Sequence, residues 1–123
     1  MSNDRGTILL AEDNEPNIMT LNEYLQDHGY TVLLARNGRE ALAKAEEKPP
    51  DIFLMDIQMP EMDGLEAIQR LRADSRFTST PIIALTALAM PGDRERCLAA
   101  GANEYLSKPV SLKILRETIA GLL

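Results

Sequence analysis

The chain has 123 residues, with 13 Lys plus Arg against 19 Asp plus Glu and a formal net charge of −6. That length suits one domain with a core that needs no staples, and 45% hydrophobic with 26% charged residues excludes a disordered chain. A single cysteine, Cys97, excludes an internal disulfide framework and a four-thiolate metal site.

No apolar run approaches the roughly 20 residues of a membrane span. The start, Met1 to Gly6, lacks the hydrophobic core of a secretory signal, so the expected compartment is the cytoplasm. The acidic balance weighs against a duplex-DNA-binding face, which would need a basic surface.

In chain order, Ile8 to Ala11 is an apolar run and the first predicted strand. A helix follows, opened by Asn14 with Pro16 in its first turn and ended near His28-Gly29. Its inward face is Ile18, Leu21 and Leu25, at spacings of three and four, with Tyr24 alongside. Thr31 to Ala35 is the second strand, and Arg39 to Lys48 a second helix closed by Pro49-Pro50.

Ile52 to Met55 is apolar at four consecutive positions. A strand that does not alternate is covered on both faces, as in a parallel sheet. Leu65, Ile68 and Leu71 mark a third helix; Ile82 to Leu85 is a fourth strand; Gly92 to Ala100 is a fourth helix stopped by Gly101. Glu104 to Ser107 is a short fifth strand, and Leu112, Leu115, Ile119 and Leu122 stripe a last helix. The pattern is βα repeated five times, which predicts one α/β domain on a parallel sheet over residues 7–122, after a tail of residues 1–6.

In open parallel sheets, sites form beyond the carboxyl ends of the strands where strand order reverses. Glu12 and Asp13 follow strand 1, Asp56 follows strand 3, Thr86 follows strand 4, and Lys108-Pro109 follows strand 5. Strand 2 ends in Ala35-Arg36-Asn37, with nothing suited to the same chemistry. Strand 2 therefore belongs on the outside, which predicts the order 2-1-3-4-5 with the crevice between strands 1 and 3.

Glu12, Asp13 and Asp56 gathered there would repel one another, with Lys108 as the one opposing charge. A hard divalent cation with oxygen ligands, such as Mg²⁺, resolves that repulsion. A metal and a lysine around a rigidly held carboxylate suit phosphoryl transfer, and Asp56, capping the most buried strand, is the best nucleophile.

These residues resemble the receiver domains of two-component response regulators. The resemblance rests on Leu-Leu-Ala-Glu-Asp-Asn (9–14), Leu-Met-Asp-Ile-Gln-Met-Pro-Glu-Met-Asp-Gly (54–64), Ala-Leu-Thr-Ala (84–87) and Tyr-Leu-Ser-Lys-Pro (105–109), and it covers nearly the whole chain. It implies a flavodoxin-like, doubly wound (βα)5 fold. It also implies that Asp56 accepts a phosphoryl group from a phosphohistidine on a histidine kinase or histidine phosphotransfer domain.

Under that resemblance Asp13, Asp56 and the backbone carbonyl of Gln58 ligate Mg²⁺, with Glu12 acting through metal-bound water. Lys108 pairs first with Asp56 and then with a phosphoryl oxygen, across a cis bond to Pro109. Thr86 hydrogen-bonds the phosphoryl group and Tyr105 is an aromatic switch. The readout is the face of helix 4, strand 5 and helix 5, toward a downstream output domain or protein, with no direct nucleic-acid or membrane contact. Gln58 and Leu88 stand where the family tunes hydrolysis. The stretches around Asn14 and Asn17 and from Leu85 to Arg94 look most like receivers of hybrid histidine kinases or single-domain regulators.

Two other functions compete. A Mg²⁺-dependent phosphatase with an aspartyl nucleophile would carry a second Asp two positions on, where this chain has Gln58. A phosphate-independent pseudo-receiver is disfavoured by intact Glu12, Asp13, Asp56, Thr86 and Lys108. No G-x-x-x-x-G-K-[ST] or G-x-G-x-x-G motif points to a nucleotide enzyme. Met55, Met59 and Met62 are expected as core filling, Cys97 as a packing residue, and His28 as the end of helix 1.

Overall fold

The computed structural model of the chain describes residues 5–59, 62–87 and 91–123. Five strands, β1 (Thr7–Ala11), β2 (Thr31–Ala35), β3 (Ile52–Asp56), β4 (Ile82–Thr86) and β5 (Glu104–Ser107), alternate with five helices. The helices are α1 (Glu15–Asp27), α2 (Gly38–Glu47), α3 (Gly64–Ala73), α4 (Asp93–Ala100) and α5 (Leu112–Leu122). All neighbouring strands are parallel, in the order β2-β1-β3-β4-β5, as expected.

Parallel neighbours need a crossover, and α1 to α4 each supply one that lies on a face of the sheet, with α5 following the last strand. The unbroken apolar runs are explained by that double cover. Alternate residues serve opposite faces: Leu9, Phe53, Met55, Ile82 and Ala84 pack with α2, α3 and α4. Ile8, Leu10, Ile52, Leu54, Ile83 and Leu85 pack with Leu21 and Leu25 of α1 and Leu115 and Ile119 of α5. Every residue of β3 and β4 is buried. Truncating one of their Leu, Ile or Met side chains to Ala would cost about 2–5 kcal/mol.

Side chains begin four of the helices. Asn14, Asn37, Asp63 and Ser111 each accept a hydrogen bond from the amide three residues on, satisfying one of the orphan donors of a helix start. Helix α4 has no such bond, being capped by Gly92 at φ +89°.

The expected elements differ from the observed ones at their edges. β1 begins one residue earlier, at Thr7, and α2 spans Gly38–Glu47 instead of Arg39 to Lys48. Asp56 and Thr86 are the last residues of β3 and β4 instead of the residues after them, because ladder pairing is made by the backbone whatever the side chain. Among the described residues a 3-10 turn, Ser75–Phe77, adds to the expected elements; Asp74 caps it by accepting from Arg76 N–H.

Of the predicted tail, residues 1–4 lie outside the described residues, while Arg5 donates its N–H to Gly29 O and Gly6 O accepts from Thr31 N–H. Among the described residues no helix is long and apolar enough to cross a membrane.

One clamp holds the α3–α4 side together. Arg72 of α3 donates to Gly101 O at 2.9 Å, Phe77 O and Thr80 O at 2.7 Å, and Asn103 Oδ1 at 2.8 Å. Asn103 Oδ1 also accepts from Ile82 N–H at 2.8 Å, so the clamp reaches the first residue of β4. Gly101, at φ +125°, ends α4 against the Arg72 stem, where an added Cβ would lie 2.4 Å from Arg72 Cγ.

Candidate functional site

The carboxyl ends of β1, β3, β4 and β5 converge on one pocket. Glu12 follows β1 directly and is held there by its N–H on Ala35 O at 2.9 Å. Its side chain is fully buried, that of Asp56 nearly so, and Asp13 is exposed. Ligand oxygens of Glu12, Asp13 and Asp56 all lie within 4.8 Å of one another. All three donors are hard oxygens, the set Mg²⁺ accepts, and the exposed Asp13 leaves a solvent side for water ligands. The residues present therefore fit such an ion.

Lys108 enters from β5. Its Nζ donates to Glu12 Oε1 at 2.6 Å and to Asp56 Oδ2 at 2.9 Å. With three carboxylates ionised against one ammonium, the local charge is −2, which a divalent cation would cancel. Burial raises the Glu12 carboxyl above its ordinary 4.5 and the Asp56 charge adds to this, while the Lys108 hydrogen bond pulls the other way. Burial alone would lower the Lys108 ammonium, but its bonds to Glu12 and Asp56 outweigh that and hold it above 10.5.

The remaining predicted residues stand around this core. Thr86 is buried at the end of β4, and its carbonyl accepts from Lys108 N–H at 2.7 Å, which ties the ends of β4 and β5 together. Gln58 donates its N–H to Asp56 Oδ1 at 3.0 Å. The Lys108-Pro109 peptide is cis. Tyr105, beside Ala84 on β5, packs with the α2–α3–α4 core, and burial, followed by the Asp93 charge, raises its phenol. Leu88 lies outside the described residues.

The structure adds two contacts that sequence reasoning missed. An added Cβ on Gly64 would lie 2.4 Å from Asp56 O and 2.6 Å from Ile57 Cα, so α3 starts flush against the backbone of the central carboxylate. The Met-Asp-Gly run was the available signal for it. The second contact joins Gln58 Oε1 to Ala87 N–H at 3.2 Å, and nothing in the sequence announces a bond to a main-chain amide.

Several expected structural residues are found in the core. Met55, Met59, Met62 and Cys97 are buried together in the α2–α3–α4 layer. His28 is the residue after α1, with Nδ1 at 2.9 Å from Tyr24 O.

The family model for the response regulator receiver domain matches residues 8–120. The chain belongs to that family.

Its similarity to curated and solved receiver domains spans nearly its full length. It is 43% identical over 113 residues, 92% of either chain, to the polar-differentiation response regulator DivK of Brucella anthropi. The receiver domain of sensor histidine kinase PA1611 from Pseudomonas aeruginosa, described with a magnesium ion coordinated in its active site cleft, superposes with a TM-score of 0.88 at 41% identity. That match covers 95% of this chain and 96% of the other. Chemotaxis response regulator CheY4 of Vibrio cholerae gives a TM-score of 0.89 at 35% identity, over 95% and 98%. This receiver domain thus has the flavodoxin-like order expected and belongs to two-component signalling, in which receivers are phosphorylated by histidine kinases and pass the signal on.

Proposed function

We propose that this receiver domain accepts a phosphoryl group on Asp56 from the phosphohistidine of a histidine kinase or histidine phosphotransfer domain. The observation that carries the reading is the buried Asp56 carboxylate, held between Lys108 Nζ at 2.9 Å and Gln58 N–H at 3.0 Å within an acidic triad. Glu12, Asp13, Asp56 and the Gln58 carbonyl would hold Mg²⁺, which when bound offsets negative charge on the transferring group.

An Asp56 oxygen attacks phosphorus, forming the O–P bond as the P–N bond breaks and its electron pair returns to the imidazole. Gln58 N–H and Lys108 keep the carboxylate oriented. Lys108 then follows the charge outward to a phosphoryl oxygen, and the Thr86 hydroxyl donates to another. Phosphorylation adds about −1.5 to −2 of charge and three acceptor oxygens at one point, enough to draw the β4 exit inward and bias Tyr105 and the α4–β5–α5 face. That face serves an output domain or protein, and hydrolysis of the aspartyl phosphate resets it.

The test is incubation with acetyl phosphate and Mg²⁺, read by intact mass. One phosphoryl group should add to the wild type and none to Asp56→Asn. Equal labelling of the variant would remove Asp56 as acceptor, and sustained turnover of phosphomonoesters would place the chain with aspartyl phosphatases instead.

A further inference from the structure

The first backbone amide beyond β4 is spoken for by a side chain from another loop. Ala87 N–H donates to Gln58 Oε1 at 3.2 Å, across 29 residues of sequence. The same Gln58 gives its own N–H to Asp56 Oδ1 at 3.0 Å. One residue therefore touches the acceptor carboxylate with its main chain and the β4 exit with its side chain.

Register explains why the two meet. Asp56 pairs with Leu85 in the β3–β4 ladder, so Gln58 and Ala87, each two residues on, stand opposite each other in the same register. The ladder has ended there, and the Gln58 carboxamide bridges the gap. Below that point the chain is fixed: Thr86 is buried and its carbonyl is held by Lys108 N–H at 2.7 Å. Ala87 is exposed, the first residue past the held part of β4.

We propose that the Gln58 carboxamide is a latch. It occupies the Ala87 N–H while Asp56 is unmodified, and it yields that N–H to a phosphoryl oxygen when Asp56 is phosphorylated. The proposal rests on Asp56 being the phosphoacceptor. A hydrogen bond to a charged acceptor is roughly twice as strong as one to a neutral amide, so the exchange runs toward the phosphoryl group once it is present. Before that, the latch keeps the β4 exit in its resting place. Gln58 is on this account a positioning residue that sets how readily the switch is thrown.

The variant Gln58→Met keeps the reach of the side chain and removes its acceptor. Two quantities are measured: hydrogen exchange of the Ala87 amide by NMR without phosphodonor, and the affinity for beryllofluoride, a phosphoryl mimic, with Mg²⁺. Amides within β1 and β3 report that the fold is intact. Loss of one modest hydrogen bond should speed Ala87 exchange by about two- to tenfold. By linkage, beryllofluoride should bind tighter by the same factor.

Gln58→Asn, one methylene short, should behave as Gln58→Met does. Unchanged Ala87 exchange overturns the latch, and so does faster exchange with unaltered beryllofluoride affinity. Wild-type protein that binds no beryllofluoride would instead overturn the assignment of Asp56 and the latch with it.

Discussion

Lys108 Nζ and Glu12 Oε1 lie 2.6 Å apart although 96 residues separate them in sequence. The lysine side chain is 14% exposed and the glutamate fully buried, so neither has bulk water to fall back on. Replacing the ammonium as Lys108→Met leaves Glu12 and Asp56 facing each other without a counter-charge. Breaking a buried pair in this way costs about 3 kcal/mol or more. Urea unfolding in chelator should show that loss, and Mg²⁺ should restore most of it. Equal stability with and without Mg²⁺ in the variant would contradict the pairing of these carboxylates around one cation.

Glu12 sets a pH dependence of its own. Its folded pKa is raised above 4.5, chiefly by burial, so the folded protein binds this proton more readily than the unfolded chain. The stability it contributes is fully present below pH 4.5 and is lost as pH rises through the folded value. In metal-free buffer, Glu12→Gln should therefore gain on the wild type as pH rises from about 4 to 7. Mg²⁺ affinity of the wild type should fall over the same interval as pH is lowered. Parallel stability curves for the two proteins would refute the raised pKa. Lys108 works at the other end: its stability is present below pH 10.5 and disappears as pH rises through its folded value.

Gly64 is the most sensitive glycine near the site. An added Cβ would meet Asp56 O at 2.4 Å, and a carbonyl in a buried strand cannot turn aside. Gly64→Ala should cost about 2 kcal/mol and slow Asp56 labelling by acetyl phosphate. Gly121, on α5, has nothing within 4 Å of an added Cβ, and Gly121→Ala should stabilise by about 0.5–1 kcal/mol. Thermal melts of the pair provide the check; similar shifts in both would remove the contact argument.

Arg72 supports a different part of the fold. Lysine cannot reproduce four bonds aimed at Gly101 O, Phe77 O, Thr80 O and Asn103 Oδ1, because an ammonium lacks the planar fork. Arg72→Lys should lose about 2–3 kcal/mol through carbonyls left unpaired. Folded variant should label at Asp56 as the wild type does, since none of these acceptors belongs to the pocket. Denaturation midpoints together with labelling rates separate the two effects.

Much of this could be read in advance for a physical reason. Ile52 to Met55 and Ile82 to Leu85 are apolar at every position because helices cover both faces, and that signal survives without any structure. The outer place of β2 followed from Ala35-Arg36-Asn37, which offers the crevice no carboxylate or hydroxyl. The gathering of Glu12, Asp13, Asp56 and Lys108 followed from their places at strand ends.

What stayed hidden involves backbone. Arg72 and Gln58 bond mainly to carbonyls and an amide, groups every residue carries, so side-chain identity does not reveal them. The 3-10 turn Ser75–Phe77 is too short to have a period. Asp56 and Thr86 fell on the wrong side of a strand boundary because pairing ignores polarity.

The span between Glu12 and Lys108 has a consequence for a chain still under synthesis. Asp56 leaves the ribosome 52 residues before the lysine that opposes it. Until β5 has paired with β4, the acidic residues have no ammonium among them and no closed crevice. On the proposed reading, a phosphodonor arriving early would meet carboxylates before the pocket around them has formed. If Asp56 is the acceptor proposed above, its labelling would report that translation has passed Lys108 and that the last strand is in place.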